Sequence, residues 1–198
     1  MKIALFRLPA IVAMLLLWSG AAQAHPGIGG AGGLAHGFAH PLGGIDHILA
    51  MVAVGLFAAH LGGRALWLVP LSFVSMMIAG GALAMAGIPV PFVELGIGLS
   101  VVVLGAAIAF GLDIPVLAAM AITGFFAVFH GHAHGAEMPA TASGLTYGLG
   151  FVLATVSLHA AGIGLGLMVG RMSEAHGRRL LRIAGSAMAL IGVAVLAG

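Results

Sequence analysis

Three histidines and a carboxylate close an apolar run in the string FHGHAHGAE, residues 129–137. His130 and His134 are four residues apart and Glu137 follows three later, so in a helix these three share one face. His132 would point elsewhere. Imidazole with carboxylate is a ligand set for nickel, cobalt, zinc, copper or iron. The alternative is a histidine-rich loop that is merely solvated.

A second polar string, HPLGGIDHILAM, occupies residues 40–51 and follows His36. Pro41 suits the first turn of a helix, where its missing N–H costs nothing. This predicts that Asp46 and His47 lie two turns into an apolar helix. A carboxylate at membrane depth needs a partner, so Asp46 would orient a neighbouring histidine or bind metal itself. The alternative is a structural aspartate at a turn.

Three further ionisable residues stand alone in apolar runs. Glu94 is expected to turn inward because lipid offers it no partner, although at the membrane interface it would reach water. His60 and His159 are candidates for a path leading away from an outer cluster. A lone histidine in a membrane helix is as often a hydrogen-bonding group between helices.

The composition indicates a membrane protein. Hydrophobic residues make up 62% of the chain and charged residues 6%, with a mean hydropathy of +1.21, whereas soluble domains carry about 25% charged residues. The net charge of +2 gives no reason to expect a nucleic-acid partner. The absence of cysteine excludes thiolate sites. The only lysine is Lys2, so the chain has no Walker A loop for ATP.

The first 24 residues have the pattern of a secretory signal peptide. Lys2 and Arg7 precede a short apolar core, and Ala22-Gln23-Ala24 matches a small-x-small cleavage site. Cleavage would leave residues 25–198 as a single membrane domain. The alternative is an uncleaved anchor helix, which the shortness of the apolar core disfavours because a spanning helix needs about 20 residues.

The rest of the chain is predicted to be an all-α, polytopic membrane helix bundle with six transmembrane helices. Each predicted span has the required length of about 17–25 residues or more: 43–61, 65–86, 92–111, 114–131, 143–170 and 180–197. Abundant glycine suits close packing of membrane helices and is compatible with a homo-oligomer.

Arginines predict the orientation of these spans. Arg64 follows the first span, and four more arginines flank the loop before the last one. By the positive-inside rule both loops are cytoplasmic, so the mature N-terminus and the C-terminus are periplasmic. The candidate ligands then share the outer side of the membrane: His36, His40, Asp46, His47, Glu94, His130, His134 and Glu137.

HPLGGIDHILAM and FHGHAHGAE resemble the two signature motifs of the HupE/UreJ family of hydrogenase and urease accessory membrane proteins. The likeness extends to the signal-like start and the six-span layout, and so covers nearly the whole chain. Where the family pattern has an aromatic residue such as tryptophan, this chain has Phe57. By position, the resemblance implies roles for seven residues: His40, Asp46, His47, Glu94, His130, His134 and Glu137. His36 lies in the more variable segment before the first motif.

The resemblance implies a secondary permease of the bacterial inner membrane for Ni(II), with Co(II) as an alternative cargo and no permanently bound cofactor. Such a protein supplies hydrogenase or urease maturation. One rival hypothesis is an intramembrane zinc-dependent hydrolase, in which His130, His134 and Asp46 hold a zinc ion that activates water, although no HExxH or GxSxG motif supports it. The other is an accessory protein that handles metal without transporting it.

Overall fold

A computed structural model describes residues 31–138 and 143–197, and these residues contain helices and no strand. The predicted signal peptide lies outside them. A 3-10 turn, His40–Leu42, joins the first two helices. The seven α-helices are α1 (Ala31–Ala39), α2 (Ile45–Leu61), α3 (Ala65–Met85), α4 (Val93–Phe110), α5 (Val116–Ala136), α6 (Gly144–Gly170) and α7 (Glu174–Ala197).

Helices α3 to α7 are each long and apolar enough to cross a membrane. Helix α2 has 17 residues and meets the same criterion only together with α1, from which it is bent by 83°. The prediction of an all-α, polytopic membrane bundle is therefore confirmed. The first of the six predicted spans is a bent pair of helices rather than one straight helix.

The bend lies at Gly43 and Gly44, between the 3-10 turn and α2. Pro41 occupies the start of the 3-10 turn, and Gly44 is extended with φ −108° and ψ 125°, so the helical hydrogen-bond series restarts after it. The prediction that Asp46 and His47 lie two turns into a helix is therefore wrong. They lie in the first turn of α2, where the helix dipole favours a negative charge.

Successive spanning helices run in opposite directions. The end of α2 lies beside the loop after α4, because His60 is 3.4 Å from Asp113, so α2 and α4 are parallel. Ser100 near the start of α4 contacts His130 near the end of α5, so these two are antiparallel. The start of α2 and the end of α5, which carry the two polar strings, consequently lie at the same end of the bundle.

Glycines allow α3 and α5 to pack backbone to backbone. A Cβ atom at Gly80 would collide with the Val128 carbonyl, and one at Gly131 would collide with the Met77 carbonyl. Small residues permit this close approach between membrane helices. The contact holds the last turns of α5, which carry His130 and His134, against α3.

Helix α5 is longer than its predicted span. The prediction ended at residue 131, whereas the helix continues to Ala136 and contains all three histidines of the string. His130 and His134 are buried, while His132 turns away and donates a hydrogen bond to the Ile88 carbonyl over 3.0 Å. Helical geometry therefore separates the three imidazoles as their spacing predicts.

Candidate metal site

Two histidines and a carboxylate meet at the outer edge of the polar cluster. His40, His134 and Glu137 each offer one ligand atom, and these three atoms lie within 4.8 Å of one another. His40 Nε2 donates a hydrogen bond to Glu137 Oε2 at 2.9 Å, and His134 Nδ1 lies 3.9 Å from the same oxygen. The 3-10 turn supplies the first candidate ligand, and the end of α5 supplies the other two.

A carboxylate fixes the tautomer of His47. Its Nδ1 lies 2.9 Å from Asp46 Oδ1, which also accepts the backbone N–H of His47. An ionised carboxylate only accepts hydrogen bonds, so the imidazole carries its proton on Nδ1. The buried Nε2 atom has no hydrogen-bond partner within residues 31–138 and 143–197 and keeps a free lone pair. A carboxylate behind an imidazole is the usual support of a metal-binding histidine.

The hydroxyl group of Ser100 orients His130 in the same way. Ser100 Oγ donates to the Ile97 carbonyl at 2.6 Å and lies 2.9 Å from His130 Nε2. Because the hydroxyl has one proton and gives it to the carbonyl, Nε2 of the imidazole is the donor in the second bond. His130 Nδ1 is buried and has no partner in the described part of the chain, so its lone pair is left available.

The imidazoles form a continuous series from the surface into the bundle. Ring centroids are 4.8 Å apart for His40 and His134, 4.3 Å for His134 and His47, and 5.0 Å for His47 and His130. Side-chain exposure is 57% for Glu137, 26% for His40, 5% for His134 and 12% for His47. His130 is fully buried.

Free lone pairs in this series are unfavourable unless something binds them. Among the residues that the structure describes, His134 has no hydrogen-bond partner at either ring nitrogen, and one nitrogen each of His47 and His130 is also unpaired. An unsatisfied buried polar group costs about 1–3 kcal/mol. Neutral imidazole nitrogens and a carboxylate suit a divalent transition-metal ion, which would satisfy several of them at once.

The other predicted site residues take different positions. His36 lies on α1 with its ring 6.2 Å from His40 and 6.1 Å from Tyr147, at the edge of the cluster. Glu94 is exposed, and none of the described hydrogen bonds or ion pairs involves it. The expectation that Glu94 turns inward is therefore wrong. Glu94 lies in the first turn of α4, and its carboxylate is exposed at the surface of the bundle.

The two histidines considered for a path lie outside the cluster. His159 is buried on α6, and its ring is 5.1 Å from that of Phe73. His60 lies at the opposite end of the bundle, beside Asp113. The structure therefore brings together His40, Asp46, His47, His130, His134 and Glu137, with His36 at the rim.

Sequence reasoning missed several residues that shape the cluster. Ser100 orients His130, the ring of Phe151 lies 4.1 Å from that of His134, and the ring of Tyr147 lies 5.9 Å from that of His40. Ser100 has no partner at a recognisable spacing, and its only signal is that it is a polar residue inside the apolar run of α4. Phe151 and Tyr147 resemble any packed aromatic residue of a membrane helix.

Replacing Ser100 by alanine is expected to weaken cation binding by about tenfold, because loss of a group that orients a ligand usually costs 10–100-fold in metal affinity. The measurement is equilibrium binding of Ni(II) to the purified protein in detergent. Ser75→Ala, at an exposed position on α3, is the matched control and should bind like the parent chain. Equal affinities for both variants would contradict the assigned role of Ser100.

Comparison with known proteins identifies the family of this chain. The sequence model of the family described as HupE / UreJ protein matches residues 12–195. The chain belongs to the HupE/UreJ family. It is 48% identical over 177 residues to Protein HupE of Rhizobium leguminosarum bv. viciae, a match that covers 89% of this chain and 91% of that protein. No solved structure matches the chain significantly.

Family membership bears out the resemblance carried by the two polar strings. Both strings lie within the matched residues, as do α1 to α6 and all but the last two residues of α7. The HupE/UreJ chain described here is thus a multi-pass membrane protein whose two motifs meet at one end of the bundle, where the 3-10 turn and α2 face the last turns of α5.

Proposed function

We propose that this chain is a secondary permease that takes up a divalent transition-metal ion across the bacterial inner membrane. Nickel is the favoured cargo and cobalt the alternative, and the imported ion supplies hydrogenase or urease maturation. Family membership supports the class of protein. The ligand types alone do not separate nickel from zinc or cobalt, since imidazole and carboxylate accept all three.

The observation that carries the proposal is the direction of the imidazole series. It begins at a carboxylate open to solvent and ends at the fully buried His130, inside an otherwise apolar bundle. A solvated loop would keep its histidines at the surface. A series that goes inward suits capture of an ion at the rim and its transfer into the membrane.

The proposed orientation places the cluster at the periplasmic face. Arg64 follows α2, and the arginines around the α6–α7 loop lie at the same end of the bundle as Arg64. Basic residues accumulate on the cytoplasmic side of membrane proteins. The rim of the cluster lies at the other end, so it would meet ions that have entered the periplasm, and the C-terminus would be periplasmic.

Uptake into proteoliposomes tests the function. We expect the purified chain to fill the lumen with Ni(II) or Co(II), and the comparison of Ni(II), Co(II) and Zn(II) with and without a proton gradient identifies cargo and energy source. An empty lumen together with saturable binding would indicate a metal-handling accessory protein instead. A tightly retained zinc ion with hydrolytic activity would indicate the hydrolase.

Cation capture is expected to weaken as the pH falls. Imidazolium cannot ligate a metal, so protons compete with the cation at every histidine of the cluster. The apparent affinity for Ni(II) should therefore decrease as the pH is lowered through the acidic range. The measurement is Ni(II) binding between pH 5 and 8, a range set by histidine chemistry. An affinity that does not change with pH would argue against imidazole ligands.

A further inference from the structure

His159 is a buried histidine with no structural role in the packing of the described helices. It is 2% exposed on α6, and neither of its ring nitrogens has a hydrogen-bond partner among the described residues. A histidine that joined membrane helices structurally would bond across an interface. This imidazole instead keeps both its donor and its acceptor unpaired within the bundle, so its polarity remains available to a ligand.

His159 lies deeper than the cluster, midway along the bundle. Helices α2 and α6 pack at Gly55 and Gly162, and a Cβ atom at Gly55 would meet the carbonyl oxygen of His159. His159 is therefore level with the middle of α2. The cluster residue His47 lies in the first turn of that helix, and His60 lies in its last turn. Transporters commonly bind their substrate near this depth.

One aromatic ring packs beside both His159 and the innermost imidazole of the cluster. Phe73, fully buried on α3, has its ring centroid 5.5 Å from that of His130 and 5.1 Å from that of His159. A metal–imidazole bond is about 2.0–2.1 Å long. The phenyl ring of Phe73 is thus a neighbour of both imidazoles and offers an ion no lone pair.

A cavity lies one helical turn along α3 from Phe73. Met77 lines this cavity of about 450 Å³, which also reaches His134 and Phe151; Phe73 itself is not among the described residues that line it. Met77 is joined to α6 by the hydroxyl of Thr155, which donates to its sulfur over 3.6 Å. The interface between α3 and α6 thus has free volume within one turn of the Phe73 ring.

We propose that His159 is an inner binding position for the transported divalent cation and that Phe73 is the apolar gate between it and the outer cluster. The inference rests on the proposed permease function and extends it. Displacement of the phenyl ring passes the ion from His130 to His159, and the closed ring prevents a continuous polar path through the membrane. Hydrophobic constrictions close ion pathways in this way.

Variants of His159 test the inner position with two separate measurements. His159→Ala and His159→Gln should lower initial Ni(II) uptake into proteoliposomes by about tenfold or more, as expected for loss of a ligand. Ni(II) affinity of the purified protein, which reports the outer cluster, should change by less than about twofold, because His159 forms no hydrogen bond to a described residue of the cluster. His176→Ala, at an exposed position of α7, is the control. The glutamine variant keeps size and polarity if the alanine variant does not fold.

The gate is tested by leakage. Phe73→Ala should raise passive Ni(II) efflux from preloaded proteoliposomes by about tenfold, since the apolar constriction is removed, while the exposed Phe125→Ala should not. Parent-like uptake by both His159 variants, or parent-like efflux by Phe73→Ala, would overturn the inference and leave the permease function standing. A parent chain that fills no lumen would overturn both.

Discussion

Replacing His134 by alanine is expected to lower Ni(II) uptake by at least about 100-fold. His134 stands between the rim and the interior: its ring contacts those of His40 and His47, and Glu137 lies 3.9 Å from its Nδ1. Loss even of supporting residues costs about 10–100-fold in metal affinity, and this residue is placed to act as a ligand itself. Initial uptake into proteoliposomes is the measurement.

The matched control for this variant is His132→Ala. It removes the same side chain two residues earlier in α5, but this imidazole points toward the α3–α4 loop, where it donates to the Ile88 carbonyl. Uptake by the control should stay within about twofold of the parent, as usual for a substitution away from the site. Equal losses in the two variants would mean that the helix, and not the cluster, is being disturbed.

Replacing Gly162 by leucine is expected to prevent stable folding. A Cβ atom at this position of α6 would collide with the Val52 carbonyl, and it would also approach the Gly55 Cα. A leucine side chain must separate α2 from α6, and we expect a loss of about 3 kcal/mol or more, at the upper end of overpacking effects. The measurement is the free energy of unfolding in mixed micelles, with the yield of monodisperse protein.

Gly164→Leu is the control for the packing effect. It lies two residues later on the same helix, and a Cβ atom there meets nothing within 4 Å. Leucine favours helix over glycine by roughly 0.5–1 kcal/mol, so this variant should be as stable as the parent or slightly more so. A parent-like stability of Gly162→Leu would contradict the close contact between α2 and α6.

Hydropathy was sufficient to locate the spanning helices, because lipid requires long apolar segments. The predicted bounds of the span that became α3 differ from the structure by a single residue. The helix bounds at the polar strings were harder to predict. The prediction ended the fourth span at residue 131, whereas the helix continues through all three histidines to Ala136. Buried imidazoles can lie within a membrane helix when they pack against other imidazoles.

The convergence of the two motifs could be predicted, but its internal geometry could not. Topology alone places the start of α2 and the end of α5 at the same face. The 83° bend depends on two consecutive glycines whose conformation the sequence does not specify. The role of Ser100 depends on a contact across 30 residues. Glu94 shares the correct end of the bundle, but its rotation about α4 leaves it exposed.

The most direct test of the account is the X-ray absorption spectrum of Ni(II) bound to the purified chain, recorded for the parent and for His134→Ala. The account predicts outer-shell scattering from at least two imidazoles together with carboxylate oxygen, and a loss of imidazole scattering in the variant. A nickel environment of oxygen atoms alone, identical in both proteins, would contradict the assignment of the buried histidine series as the place where the ion is held.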